Sequence, residues 1–284
     1  MSGNLYLCAT PIGNLEDITL RVIRTLKEVD LIATEDTRHS IKLLNHYDIK
    51  TPMTSYHEHN KEDKGLYLIK EMEAGKNIAL ITDAGTPAIS DPGEELVRQA
   101  YEAGIEVTSL PGACALVTAL TISGLSTRRF CFEGFLPSKN KDRNKILEIL
   151  REETRTIILY EAPHRLKKTL KELYEKLGNR NIALVKELTK LHEYAFNTSL
   201  SEAIDFYQEE TPRGEFVLLI EGKSIEEIEE EKESQWKSIS VQDHMEIYLS
   251  NGLSKKDSMK AVAKDRGESK REIYRKLLDD EGRD

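Results

Sequence analysis

Short apolar runs alternate along the first half of this chain with longer segments whose apolar residues recur every three or four positions. The runs Leu5–Ala9, Leu31–Thr34, Ile78–Thr82 and Ile105–Leu110 read as strands. Between them, Leu20–Lys27, Arg38–His46, Lys64–Ala74 and Glu94–Ala103 carry the helical period. Such alternation predicts βαβ units around a mainly parallel sheet, covered by helices. The rhythm changes near Phe130–Pro137, where Phe-Cys-Phe-Glu-Gly-Phe-Leu-Pro precedes the polar run Ser138–Lys145, which reads as a hinge. A second α/β unit follows, with strands expected at Thr156–Tyr160, Ile182–Val185 and Phe216–Ile220 and helices at Arg165–Lys176 and Ser201–Gln208.

Beyond Gly222 the pattern becomes polar. Residues 223–234 hold two lysines against six glutamates, the composition of a solvated helix or linker. From Asn251 to Leu278 there are nine Lys/Arg against four Asp/Glu. Ser254-Lys-Lys-Asp257 and Ser269-Lys-Arg-Glu272 have capping-box spacing, so each opens a short helix. Met259, Val262 and Ala263 give the first helix its apolar face; Ile273, Leu277 and Leu278 serve the second, with Gly267 in the turn. A basic helix-turn-helix is one reading and a helical cap or dimer arm the other. The expected layout is an α/β domain over 1–134, a second α/β domain over 135–222, an acidic linker over 223–239 and an all-α helical tail over 240–284.

Composition narrows the function. At 284 residues with 39% hydrophobic content, the chain can bury two cores. The net charge of −9 opposes indiscriminate coating of nucleic acid and leaves room for a local basic site. No apolar run approaches the roughly 20 residues of a membrane span. The opening Met1-Ser-Gly-Asn4 has no signal-peptide pattern, and Cys8, Cys114 and Cys131 lack metal spacing, so a reduced, cytoplasmic protein is expected.

Four segments that follow predicted strands carry unusual content. They are Ala9–Leu15, Glu35-Asp-Thr-Arg38, the stretch Asp83–Gly93 and Leu110–Ala115. At one edge of a parallel sheet they would form a continuous crevice, where α/β folds bind ligands. Gly85 and Gly93 permit close backbone approach, and Pro87 and Pro92 fix the loop's shape. Neither G-x-G-x-x-G nor G-x-x-x-x-G-K-[ST] occurs in these segments, so a phosphate cradle is not expected; a ligand held through backbone groups fits better.

The set Thr10-Pro-Ile-Gly-Asn14, Glu35–Arg38, Asp83-Ala-Gly-Thr-Pro87 with Ser90-Asp-Pro-Gly93, Tyr160-Glu-Ala-Pro-His-Arg165, Lys186-Glu-Leu-Thr-Lys190 and Gly214-Glu-Phe-Val217 resembles the tetrapyrrole (corrin/porphyrin) methylases. The resemblance runs from about Leu5 to Glu221 and is to the branch that acts on ribosomal RNA; the basic tail is similar to that branch's appendage. It implies two α/β domains with S-adenosyl-L-methionine in the cleft between them, and a homodimer. The implied reaction is methylation of the ribose 2′-OH of a cytidine in 16S rRNA of the small ribosomal subunit. The cofactor residues it implies are Pro11, Ala84, Gly85, Thr86, Ile89, Cys114, Ala115, Tyr160, Glu161 and Leu188. The first loop departs from the superfamily's usual Gly-Pro-Gly-Asp.

A 2′-OH needs a group to take its proton, and the candidates are Asp36, Glu187 and His57, in that order, with Glu35 also at a strand end. Asp36 is equally suited to cap the following helix, and Glu187 to pair with Arg38 or Lys190. His57 and His59 alone are too few for a metal site, and none is expected. Arg38, Arg165, Lys186 and Lys190 are the cations expected at RNA phosphates, with Lys139, Lys141, Arg143 and Lys145 either a flexible contact or a solvated linker. Two rival functions stay open: a tetrapyrrole C-methyltransferase of uroporphyrinogen or precorrin type, and a non-catalytic RNA-binding protein of the same fold.

Overall fold

Ile78-Ala-Leu-Ile81 can be apolar at every position because both faces of its sheet are covered. In the computed structural model, which describes residues 2–281, the first layer contains β1 (Leu5–Cys8), α1 (Leu20–Glu28), β2 (Leu31–Thr34), α2 (Thr37–His46), β3 (Met53–Ser55), α3 (Lys61–Glu73), β4 (Ile78–Ile81), α4 (Gly93–Glu102), β5 (Val107–Leu110) and α5 (Ala115–Ile122). The strands run parallel in the order β3-β2-β4-β1-β5. Ile78 and Leu80 pack with Leu68, Met72 and Leu96 on one face; Ala79 and Ile81 pack with Val22, Leu26 and Leu44 on the other. Side chains alternate along a strand, so continuous hydrophobicity is the signature of this double coverage. Because the strands are parallel, all the loops leaving their carboxyl ends gather at one edge, as the sequence requires for a crevice.

The second layer begins earlier than residue 135. Residues 130–135 form β6 (Phe130–Phe135), which runs alongside β7 (Thr156–Glu161); between them lies α6 (Asn140–Arg151). The expected hinge is therefore an edge strand followed by a helix. Its polar residues cover the solvent side of α6, while Leu147 and Leu150 face the core. Arg143 is also buried, donating to Glu172 Oε2 and, at 2.7 Å, to Thr169 Oγ1, so it is not a flexible surface cation. The layer continues through α7 (Pro163–Leu177), β8 (Asn181–Lys186), β9 (Tyr194–Ser199), α8 (Leu200–Glu209) and β10 (Phe216–Ile220), giving the strand order β6-β7-β10-β8-β9. Apart from β6 and β7, neighbouring strands are antiparallel. Pro163 starts α7 at a position where its missing N–H costs nothing, and Ser199 with Glu202 forms a full capping box on α8.

Helices α6, α7 and α8 cover one face of this second sheet, contributing Leu147, Leu150, Leu166, Leu170, Leu173 and Ala203. The other face receives α5, whose Leu116, Ala119 and Leu120 pack on Ile158, Ala183, Val217 and Leu219, joined by Ile12 and Cys114. Burying a leucine side chain in this way contributes about 1.5–3 kcal/mol. Together residues 2–150 and 155–221 form one compact unit.

Residues 151–154 and 222–281 belong to a second unit. Its segment 225–237 is a helix, α9 (Ile225–Lys237), the first of the two readings of the acidic run, and α10 (Val241–Ser250), α11 (Lys255–Asp265) and α12 (Lys270–Glu281) follow. The Lys223 amine is buried between Glu152 and Glu231. Val241, Met245, Val262, Ala263 and Ile273 make the core, with Met259 and Leu277 against it; Leu278, expected inside, is exposed. Ser254 caps α11, Ser269 and Glu272 form the second expected capping box, and Gly267 takes φ +63° in the turn. Arg266 is not a surface cation: it donates to Ile239 O, Ser240 O and the buried His244 Nδ1. Burial, then the Arg266 charge, holds the His244 imidazole below its usual range. Residues 1 and 282–284, the outer ends of the first expected domain and of the tail, lie outside the described residues.

Candidate active site

The loops after β1, β4 and β5 are tied to one another by backbone bonds. Thr10 and Gly85 exchange N–H···O bonds of 2.9 and 3.1 Å, and Thr86 Oγ1 donates to Ala113 O at 2.9 Å. Gly85 has φ +88°, and Ala88 and Ser90 also occupy the left-handed region, at +69° and +61°. Non-glycine residues there are strained, and such strain collects where surrounding structure holds it for a purpose. Asp91 Oδ1 secures the turn, accepting from Ala88 N at 2.9 Å and Gly93 N at 2.7 Å. Facing these loops, Glu187 and Thr189 of the second layer are left-handed too, at +52° and +64°.

Between the two sheets opens a cleft of about 1190 Å³. Its apolar wall includes Ile12, Ile89, Phe135, Leu188 and Val217, and the residues expected from sequence, Ala84, Thr86, Cys114, Ala115, Tyr160 and Glu161, line it as well. Gly85, paired with Thr10, and Pro11 do not line it. The Tyr160 hydroxyl accepts from the Leu116 amide at 3.1 Å, joining β7 to the start of α5; burial pushes this phenol up to about 12. Phe132 and Phe135 meet the Tyr160 ring edge-on at 4.9 and 5.6 Å.

The polar end of the cleft is acidic. Glu35, Glu58, Asp91, Glu94 and Glu95 line it, against Lys61 and Arg98. Lys61 pairs with Glu58 and Arg98 with Glu95, both at 2.6 Å. Glu35 is half-buried, and its carboxyl is raised above the usual range by burial and then by the nearby Asp83 and Asp91 charges. Asp83 Oδ1, Asp91 Oδ2 and His57 Nδ1 are buried with no hydrogen-bond partner.

The base candidates fare differently. Asp36 does not face the cleft: it caps α2 through Arg38 N at 2.8 Å and holds the Arg38 guanidinium at 3.1 and 2.9 Å. Those bonds lower its pKa to about 2, which makes a weak base. Glu187 is also off the cleft wall; burial raises its carboxyl, but the Glu215 amide and Lys190 amine, each at 3.1 Å, outweigh this and hold it low. His57 does not line the cleft either, though it is near enough to Glu35 to influence that carboxyl. The missed residue is the one before Asp36. Successive side chains at a strand end point opposite ways, so a capping Asp36 leaves Glu35 to face the ligand side.

The expected RNA cations are not brought together as one patch. Arg165 is an interior brace, donating to Leu136 O and pairing with the buried Glu161 at 3.4 Å. Lys190 is neutralised by Glu187 and Glu215. Arg38 projects into solvent while paired with Asp36, and Lys186 lies half-buried with its amine 5.9 Å from the Tyr194 ring centre. Among the described residues no group of three or more His, Cys, Asp or Glu is placed to hold a metal ion, and no helix is long and apolar enough to cross a membrane.

Two stacked α/β layers with a ligand cleft at the carboxyl edge of the first define a methylase of tetrapyrrole type, and residues 4–204 match the family model of the Tetrapyrrole (Corrin/Porphyrin) Methylases. The fold is shared with the crystal structure of uroporphyrin-III C-methyl transferase from Thermus thermophilus complexed with S-adenyl homocysteine (TM-score 0.55, 20% identity, 76% of this chain and 97% of that one). At the sequence level the chain is 53% identical to ribosomal RNA small subunit methyltransferase I of Halalkalibacterium halodurans and 50% identical to that of Bacillus subtilis, each over 96% of this chain and 93% of the relative. This chain belongs to the ribosomal RNA small subunit methyltransferase I family within the tetrapyrrole methylases.

Proposed function

We propose that the protein transfers a methyl group from S-adenosyl-L-methionine to the ribose 2′-oxygen of a cytidine in 16S rRNA of the small ribosomal subunit. The observation that carries this reading is the similarity to relatives of that name along nearly the whole chain. The cleft is compatible with it. Its volume exceeds the roughly 300–1,000 Å³ of a small-molecule pocket, leaving room for a nucleotide beside a cofactor.

The residues present suit the cofactor. Ala84, Ile89, Cys114, Ala115, Leu188 and Val217 offer an apolar wall to a purine, while the Glu35 and Asp91 carboxyls on the same wall suit a cation. S-adenosyl-L-methionine, when bound, supplies a methyl carbon already activated by sulfonium sulfur. The protein's task is then alignment and exclusion of water. The strained 84–90 loop is fixed before any ligand arrives, so little ordering cost remains at binding. The Tyr160 hydroxyl, committed to Leu116, stays protonated at neutral pH and holds the two layers in register.

The RNA side of the reading draws on α10–α12, whose surface carries Lys255, Lys256, Lys260, Lys264, Lys270, Arg271, Arg275 and Lys276. A homodimer in the cytoplasm completes the proposal; Val117, Ile122 and Phe130, exposed on α5 and β6, offer an apolar face to a second copy. The test is tritium transfer from labelled S-adenosyl-L-methionine to small subunits from a strain lacking the activity, with mass spectrometry locating the methyl. A 2′-O-methylcytidine in 16S rRNA is expected. Cofactor binding without any RNA labelling would instead favour a small tetrapyrrole acceptor, and absence of cofactor binding a non-catalytic role.

A further inference from the structure

We infer that Glu35 is the catalytic residue that takes the proton of the acceptor hydroxyl, from a cluster with Asp83, Asp91 and His57 that gives its carboxylate no described lysine or arginine partner. The inference rests on the methyl-transfer reading above. Glu35 stands at the carboxyl end of β2 and lines the cleft. Its hydrogen bond is a long one, 3.4 Å from Thr82 Oγ1 to Oε2, so most of its lone pairs are free for a ligand donor. No described lysine or arginine pairs with it. The groups facing it are Asp83 and Asp91 from the loop after β4, His57 from the segment after β3, and Thr82 itself. Farther along the wall the charges are Glu94 and the closed pairs Glu58–Lys61 and Glu95–Arg98.

This arrangement is costly as it stands. Three partly buried carboxyl groups share one corner, and buried oxygens of two of them lack any donor. Carboxylate oxygens buried without donors destabilise a fold, and their retention beside a ligand cleft marks a functional corner, in which Glu35 is the carboxyl on the wall with only one long hydrogen bond. The same crowding shifts Glu35 upward, through burial first and Asp83 and Asp91 next, which strengthens it as a base. Asp36 and Glu187 lack that property, being held low by Arg38 and by the Glu215 amide with Lys190.

The step balances without a further reactant. The 2′-oxygen forms its bond to the methyl carbon, the carbon–sulfur bond breaks with its electron pair left on sulfur, and the hydroxyl proton passes to a Glu35 carboxylate oxygen.

Single-turnover methyl transfer to small ribosomal subunits, read from about pH 5 to pH 9 alongside calorimetric cofactor affinity, tests the assignment. In wild-type protein the rate should rise with pH and level off as Glu35 ionises. Glu35→Gln should lower the plateau about 10²–10⁴-fold and abolish that rise, with cofactor affinity retained within about threefold. Asp83→Asn, which removes a neighbouring charge, should move the rise to lower pH. A Glu35→Gln rate within about threefold of wild type overturns the assignment, as does a loss of cofactor affinity that matches the loss of rate. Wild-type protein that labels no RNA overturns the substrate reading, and this assignment with it.

Discussion

Gly13 of the first loop lies against Lys190 of the second layer so closely that a Cβ on Gly13 would stand 2.4 Å from Lys190 Cγ. The same Cβ would come within 2.8 Å of both Leu188 O and Thr189 Oγ1. The side chain of Lys190 could move aside; the Leu188 carbonyl is backbone at the cleft wall and cannot do so alone. A residue larger than glycine must therefore push the loop after β1 away from the loop after β8.

Gly13→Val is expected to cost about 1–3 kcal/mol through this overpacking and to weaken cofactor binding along with it. Thermal unfolding and calorimetry on the same preparation would check both. Wild-type affinity in this variant would mean that the close approach plays no part in shaping the site.

Arg165 should act on stability, and Lys186 on RNA. Arg165→Met removes the cation beside the buried Glu161, to which Ala162 N and Thr169 Oγ1 still donate, a loss of about 1–3 kcal/mol. Its expected signature is a lowered melting temperature with an unchanged salt dependence of RNA binding. Lys186→Ala should reverse that pattern, reducing the log–log salt slope by about one unit with little thermal change. Equal salt slopes for wild type and Lys186→Ala would remove Lys186 from the RNA surface.

Asp36 should reveal itself in acid rather than in catalysis. Its carboxyl is held at about 2, against 3.8 for the free group, by the Arg38 side chain and amide. A folded-state value below the unfolded one stabilises above the unfolded value and loses that contribution as pH falls through the folded one. The window is thus pH 4 down to 2, and Asp36→Asn should flatten unfolding curves there while methyl transfer at neutral pH persists. A complete loss of transfer in Asp36→Asn would return Asp36 to the list of bases.

Ending the chain at Glu221 removes the basic helices and retains every residue that lines the cleft. Cofactor affinity is expected to stay near that of the full chain, while binding to the small subunit weakens and loses part of its salt sensitivity. Unchanged transfer to subunits would show that α10–α12 have no part in docking.

Where pattern and environment agree, the sequence was readable. The apolar strands β1, β2, β4, β7, β8 and β10 appear within a residue or two of their expected bounds, because a strand buried on both faces has no polar positions to confuse the reading. Edge elements other than β5 were not. β3, β6 and β9 lie at sheet margins where half the surface is wet, and their mixed composition resembles loop. α6 was hidden for a related reason: Lys139–Lys145 advertises solvent, while the buried Arg143 takes its role from Glu172 and Thr169, residues far away in sequence.

Taken alone, the sequence determined the two α/β layers, the gathering of special loops at one sheet edge, the family resemblance and eight of the residues that line the cleft. These depend on local periodicity, turn chemistry and ordered motifs, all of which are written within a few residues of one another. Only the tertiary structure decided which charged groups are free to act. Asp36, Glu187, Arg165 and Lys190 look reactive in one dimension, yet Arg38, Glu215, Leu136 and Glu161 engage them in three. Glu35, adjacent to the more conspicuous Asp36, is left facing the cleft beside Asp83, Asp91 and His57. Asp36 finds its partner only two residues on, but Leu136 reaches Arg165, and Glu215 reaches Glu187 and Lys190, from distant positions, and local sequence does not encode that pairing.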